Sequence, residues 1–395
     1  MKEKIYLLLV VIASSFLAGC NDSDALSIKG ESLSETPILL QSDSKFFSVN
    51  TRASIDSIQE ISSLGIFCVA REKTGVNGSD EAREVNWMQI LENTTERYGF
   101  TTHGIYWNNV KFRPGETVDG RTELQPVEGE DYVAFYPITN WYGYDFYGYY
   151  PYKNSYIQAK DSLAVDFTID GTTDVIWGRS NKVADPYAYS ARYIKSIGNK
   201  KVPMTLKHCT TQFRFFLLPA ADTDGKVAQP EKVKNLSLKE IKMLDVHPNI
   251  RMTLAKLDDE ENVGTVYPKG SATTEFILKD KAGNAVADAP VAVPYNMVGE
   301  EMMSDTVRIG DCIMACPGKT EYFMSMCMCD TDNPENEYRS EKRISIKTSD
   351  SSKFKPGYIY NIYITVNGVT FVSMDATLQE WTNAEYDPSL KFEIY

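Results

Sequence analysis

Residues 355–374 read KPGYIYNIYITVNGVTFVSM. Pro356-Gly357 launches a β-rich run, Tyr358–Val366; Asn367-Gly368 turns it, and Val369–Met374 carries it back. Asn-Gly between two such runs is the strongest short-range hairpin signal a sequence offers, because both residues accept the positive φ of a tight turn. Within the first run Tyr360, Ile362, Ile364 and Val366 fall on one face at period two, the mark of a strand with one side in a core. This stretch sets the class of the fold as all-β.

Working outward, the same punctuation recurs. Strands are predicted at Leu64–Ala70, Ile105–Phe112, Tyr132–Tyr136, Val165–Ile169, Val202–His208, Gln212–Leu218, Ile250–Leu257, Thr274–Leu278 and Val291–Pro294. Cys312–Cys316 and Tyr322–Cys329 flank Pro317-Gly318-Lys319 and read as a second hairpin. The helix candidates, Ile55–Ser62 and Val85–Asn93, are short. Many short strands separated by turns argue for sandwiches. The chain divides on this reading into residues 1–20, 21–52, 53–200 and 201–395: a signal peptide, a polar spacer or pro-segment, and two β-sandwich domains in tandem.

The N-terminus, MKEKIYLLLVVIASSFLAGC, has a basic start at Lys2 and Lys4 and an apolar run too short to span a bilayer comfortably. Leu17-Ala18-Gly19-Cys20 resembles a lipoprotein cleavage box, which makes Cys20 the expected lipid-bearing residue. Arg52 is the first arginine of the chain and stands at the junction of spacer and folded part. Exposed polar connectors are where proteases nick, so Arg52-Ala53 is the expected processing site. Upstream of it, Lys45–Thr51 alternates, with Phe47, Val49 and Thr51 on one face, and reads as a provisional strand.

The formal net charge of -13 disfavours nucleic acid as a partner. It suits a soluble surface protein. The three histidines, His103, His208 and His247, have no metal-ligand spacing, and neither a nucleophile elbow, a P-loop nor a dinucleotide fingerprint occurs. The chain is read as no enzyme, with no cofactor and no metal. Of the seven cysteines, Cys312, Cys316, Cys327 and Cys329 cluster; core packing, one cross-strand disulfide and a thiolate metal site are the three readings. Asp330, Asp332, Glu335 and Glu337 read as a solvated acidic turn.

Two segments carry recognition hypotheses. Trp141–Tyr152, WYGYDFYGYYPY, is a candidate adhesion loop through Trp141, Tyr144 and Tyr147, or else a loop folding its rings onto the sandwich. At the other end Leu390, Phe392 and Ile394 alternate with Lys391 and Glu393. That is an adhesive strand: the last edge strand of its own domain, or a donor strand for a neighbour.

The order of several short motifs resembles the fimbrillin family of Bacteroidetes, the type V pilins and their accessory subunits. The motifs are the Cys20 box, Thr51-Arg52-Ala53-Ser54, Val133-Ala134-Phe135-Tyr136-Pro137, Asp174-Val175-Ile176-Trp177-Gly178, Leu206-Lys207-His208, Phe354-Lys355-Pro356-Gly357-Tyr358 and Leu378-Gln379-Glu380-Trp381. The resemblance implies two β-sandwiches of transthyretin-like topology and export as an outer-membrane lipoprotein. It also implies an Arg-specific cut in the spacer that removes one strand, and assembly with other fimbrial subunits by strand addition. The Tyr-rich insert points to a tip or accessory subunit, with host proteins or glycans as further partners. The alternative is a surface lipoprotein that binds glycans.

Overall fold

The protein is described by a computed structural model covering residues 33–43, 59, 61–72, 105–130, 134–137, 142–159, 162–185, 187–219, 233–256, 262–295, 306–340, 343–348, 351–366 and 372–380. It is nearly all β. In the first part the strands are β1 (Leu33–Pro37), β2 (Leu40–Asp43), β3 (Leu64–Glu72), β4 (Ile105–Val118), β5 (Arg121–Pro126), β6 (Phe135–Pro137) and β7 (Tyr142–Tyr150). There follow β8 (Ile157–Gln158), β9 (Ser162–Thr168), β10 (Ile176–Ser180), the one-and-a-half-turn helix α1 (Ala191–Ser196) and β11 (Val202–His208). Seven of these close a barrel in the order β10-β11-β2-β5-β4-β3-β7.

The barrel is filled by Leu64, Ile66, Trp107, Phe112, Leu124, Tyr144, Phe146, Val202 and Met204, with Ala191 and Ile194 of α1 in the same cluster. β3 and β7 bury both faces. Phe67 and Val69 alternate with the barrel-facing residues, as Tyr147 and Tyr149 do in β7, and they join a second, larger core. Gly65 is required by this arrangement: a Cβ there would sit 2.3 Å from Cε1 of Tyr149. The Tyr149 hydroxyl donates to Oδ1 of Asn109 at 2.7 Å.

The second core lies under a sheet in the order β15-β14-β9-β8 and between two further sheets. Its strands are β12 (Thr211–Leu218), β13 (Leu236–Val246), β14 (Asn249–Lys256), β15 (Thr265–Pro268), β16 (Thr274–Ile277), β17 (Val291–Ala292), β18 (Val307–Ala315) and β19 (Glu321–Asp330). β20 (Glu337–Arg339), β21 (Ile344–Lys347), β22 (Tyr358–Val366) and β23 (Val372–Glu380) complete them. One sheet runs β18-β12-β22-β23 and the other β16-β13-β19-β20, with β17 on β13 and β21 on β19. Phe213 of the first meets Tyr322 of the second at 5.0 Å between ring centroids. The two strands of the expected hairpin pair, Tyr358 with Glu380 through Val366 with Val372, but the return strand is Val372–Glu380 rather than Val369–Met374, and Asn367-Gly368 lies outside the described residues. The predicted face of β22 is buried, with Tyr360 2% exposed and Ile362, Ile364 and Val366 fully buried, and Ile359 and Asn361 on the other face are buried as well.

Three local expectations are corrected. β18 and β19 do not form a hairpin. β18 pairs with β12 and β19 with β13, so the turn at Pro317-Gly318-Lys319 carries the chain from one sheet to another. That turn is fixed by Phe354, whose carbonyl accepts from Gly318 N and whose N–H donates to Lys319 O, each at 2.8 Å. Tyr144 and Tyr147 belong to a strand rather than a loop, and their rings pack inward, as the second reading of that segment has them. A strand covered on both sides shows no polar alternation and reads as irregular. Finally, Leu33–Asp43 of the expected spacer forms β1 and β2. The sheet that pairs β9 with β14 joins Ser162–Thr168 to Asn249–Lys256, on either side of residue 200.

Candidate strand-exchange site

β2 is the closing strand of the barrel. It runs antiparallel to β5, Leu40 opposite Leu124 through Asp43 opposite Arg121. On its other side it runs parallel to β11, with Leu40, Gln41 and Ser42 opposite Val202, Pro203 and Met204. Val202 N donates to Leu39 O at 2.8 Å. β1 continues the segment outward, pairing with β6, and Ile38 N donates to Ala134 O at 2.8 Å.

The sequence sets this up by alternation. Thr36, Ile38, Leu40 and Ser42 are all buried, at 2%, 6%, 1% and 3% exposure, while Leu39 between them is 38% exposed. Pro37 sits at a shift of register between β1 and β6, where its missing N–H costs no ladder bond. Ile38 and Leu40 enter the barrel core, each contributing about 1.5–3 kcal/mol of apolar burial. Ser42 lies opposite Thr122 on one side and Met204 on the other, both buried. The Thr122 hydroxyl lies 2.6 Å from that of Thr117.

The outward face of the segment is mixed, with Pro37 and Leu39 followed by the polar Gln41 and Asp43. Gln41 lies in a shallow basin with Glu116, Val118, Asp119, Arg121, Glu123 and Lys201. Lys201 immediately precedes β11 and Glu123 belongs to β5, and their side chains meet at 3.2 Å. Because β2 lies between β5 and β11, this ion pair passes over it. Removal of Leu33–Asp43 would leave β5 and β11 as two facing open edges with Leu124 and Val202 uncovered between them. Such a slot has the main-chain edges and apolar pockets to accept an extended segment.

The remaining residues singled out from sequence are placed as follows. Cys20, Arg52, Ala53, Trp141, Leu390, Phe392 and Ile394 lie outside the described residues, as does Lys45–Thr51. Tyr144 is 1% exposed and Tyr147 5%, so these two rings form no adhesive surface. Tyr147 instead packs beneath the guanidinium of Arg179, 5.2 Å from its ring, and Arg179 reaches the buried carboxylate of Asp145 at 3.4 Å. Cys312 lies on β18 and Cys316 directly after its end, while Cys327 and Cys329 lie on β19 in a separate sheet, so the structure does not bring four thiols together across one hairpin. All six described cysteines are free and buried. Burial pushes the thiols of Cys209, Cys312 and Cys316 up to about 12. Among the described residues no three acidic, histidine or cysteine side chains are grouped to hold a metal. In the acidic turn Asp330 accepts from Asn336 and Tyr338, and Glu337 pairs with Lys239 and Arg339.

Sequence reasoning missed the residues of the slot itself. The signal was present in the alternation of Thr36, Ile38, Leu40 and Ser42, but Leu39 and Pro37 interrupt its polar side.

No protein-family model matches the chain, and no curated protein sequence does. Solved structures do resemble its fold. A fimbrial protein from Bacteroides vulgatus ATCC 8482 aligns at 12% identity over 87% of this chain and 99% of its own, with a TM-score of 0.47. The fimbrial anchor protein Mfa2 from Porphyromonas gingivalis aligns at 12% identity over 89% of this chain and 100% of its own, with a TM-score of 0.31. A fimbrial assembly protein from Parabacteroides distasonis ATCC 8503 aligns at 8% identity over 87% and 98%, with a TM-score of 0.37. These neighbours are fimbrial proteins of Bacteroidetes.

Proposed function

We propose that this chain is a structural, non-enzymatic subunit of a bacterial surface fimbria, exported as an outer-membrane lipoprotein through Cys20 and assembled by strand exchange. The observation that carries the reading is the placement of Leu33–Asp43. These residues lie upstream of Arg52, yet they close the barrel between β5 and β11. A cut at Arg52-Ala53 would leave the closing strand and the rest of the barrel on separate chains. The strand would then be held only by its own contacts and open to replacement at the slot.

The motif order quoted above supports the same reading, and so does the alternating tail at Leu390, Phe392 and Ile394, which has the form of a donor strand. The two sandwiches of transthyretin-like topology belong to this proposal. The tip or accessory assignment rested on the Tyr-rich segment being an insert, and Tyr142–Tyr150 is instead a strand of the barrel. The glycan-binding alternative loses its platform at Tyr144 and Tyr147. Deletion of Ser389–Tyr395 tests the assembly step. The expected result is a folded, secreted subunit that forms no polymer; normal polymers from the truncated chain would refute the donor strand.

A further inference from the structure

The slot does not treat all strands alike. The inward residues of the seated strand change size along its length: Ile38 and Leu40 fill the barrel core, whereas the small Ser42 is buried opposite Thr122 and Met204, which are 0% and 3% exposed. Its outward side carries charge around one position. Gln41 shares its basin with three carboxylates, Glu116, Asp119 and Glu123, and two cations, Arg121 and Lys201. Lys201 is engaged with Glu123 at 3.2 Å across the strand. An acidic residue in place of Gln41 would stand among those carboxylates and compete for Lys201. A basic residue there would stand opposite Glu123, which is its register partner on β5.

We propose that Glu123, Lys201, Glu116 and Asp119 are specificity determinants. They make the slot select an extended segment of this chemistry: large and apolar at the positions of Ile38 and Leu40, neutral or basic at that of Gln41, and small at that of Ser42. This rests on the reading of the slot as a strand-exchange site, and it names the kind of strand the site takes. The Lys201–Glu123 pair acts as a clasp over whichever strand is seated. Its partners are half-exposed, so its effect is one of selection among strands rather than of gross affinity.

The test uses full-length chains carrying Gln41→Lys, Gln41→Glu or Ser42→Phe, each with and without Lys201→Glu. Two readouts are taken: the urea midpoint of the uncut chain, and the rate at which residues 33–43 leave after limited cutting by an Arg-specific protease, followed by mass spectrometry. The expected order of both midpoint and retention is Lys at or above Gln, and Gln above Glu. Retention of the Lys and Glu strands should differ about fivefold. Ser42→Phe should release its strand about tenfold faster than the parent, from overpacking. Lys201→Glu should widen the preference for Lys over Glu. Equal midpoints and equal release for Lys and Glu at position 41 would overturn the inference. A strand that never leaves in any variant, with the midpoint order intact, would sink strand exchange while the charge preference of the slot stands.

Discussion

Leu40→Ala separates an integral closing strand from a spacer that merely lies nearby. Leu40 is 1% exposed between Leu124 and Val202, themselves 3% and 0% exposed. Truncation there removes apolar contacts and leaves a cavity that a hydrogen-bonded barrel cannot readily close, at a cost of about 2–5 kcal/mol. Leu39, the adjacent residue, is 38% exposed, and Leu39→Ala should cost no more than about 0.5 kcal/mol. Urea unfolding of the uncut protein, followed by tryptophan fluorescence, compares the two; Trp107 lies in the barrel core and reports its opening. After proteolytic removal of the segment, the chains derived from Leu40→Ala and the parent are identical and should unfold together. Equal costs for Leu39→Ala and Leu40→Ala in the uncut protein would refute the closing-strand account.

Other expectations follow from the same structure. Tyr147→Ala should lower stability by about 3–5 kcal/mol, as for other buried aromatic truncations, in thermal or urea unfolding, and leave any glycan binding unchanged. Asp174→Asn should cost about 1–3 kcal/mol in the same unfolding assays, because His208 Nδ1 lies 2.7 Å from the Asp174 carboxylate and both side chains are at most 1% exposed. The thiols of Cys209, Cys312 and Cys316, raised to about 12, should stay unmodified by iodoacetamide at pH 8 in the native protein and react fully in denaturant, as counted by mass.

The strands legible in the sequence were those with one wet face or a strong turn. Val202–His208 and Tyr358–Val366 were found to the residue, the first from its apolar alternation and the second from Pro-Gly before it and Asn-Gly after. Tyr142–Tyr150 was not, since Tyr144 and Phe146 point into one core and Tyr147 and Tyr149 into another, which erases the alternation. The partners of β18 and β19 were also hidden. A Pro-Gly turn stops a strand, but whether the chain returns beside it or crosses to another sheet depends on distant residues, here Phe354 and the strands β12 and β13. The site suffered from brevity: β2 is four residues long, and its neighbours Glu123 and Lys201 are brought together only by the closed barrel. The cysteine alternation was readable, with Met324, Met326 and Met328 in the core and Cys327 and Cys329 on the opposite face of β19.

On the strand-exchange reading, Leu33–Asp43 closes the barrel before processing and is absent afterwards. The most direct measurement of this is the intact mass and N-terminal sequence of the subunit recovered from polymers on the cell surface. The account predicts a chain that begins at Ala53, with no peptide from residues 33–43 retained. A polymerised subunit that still begins at Cys20, or that carries the 33–43 peptide bound, would contradict it.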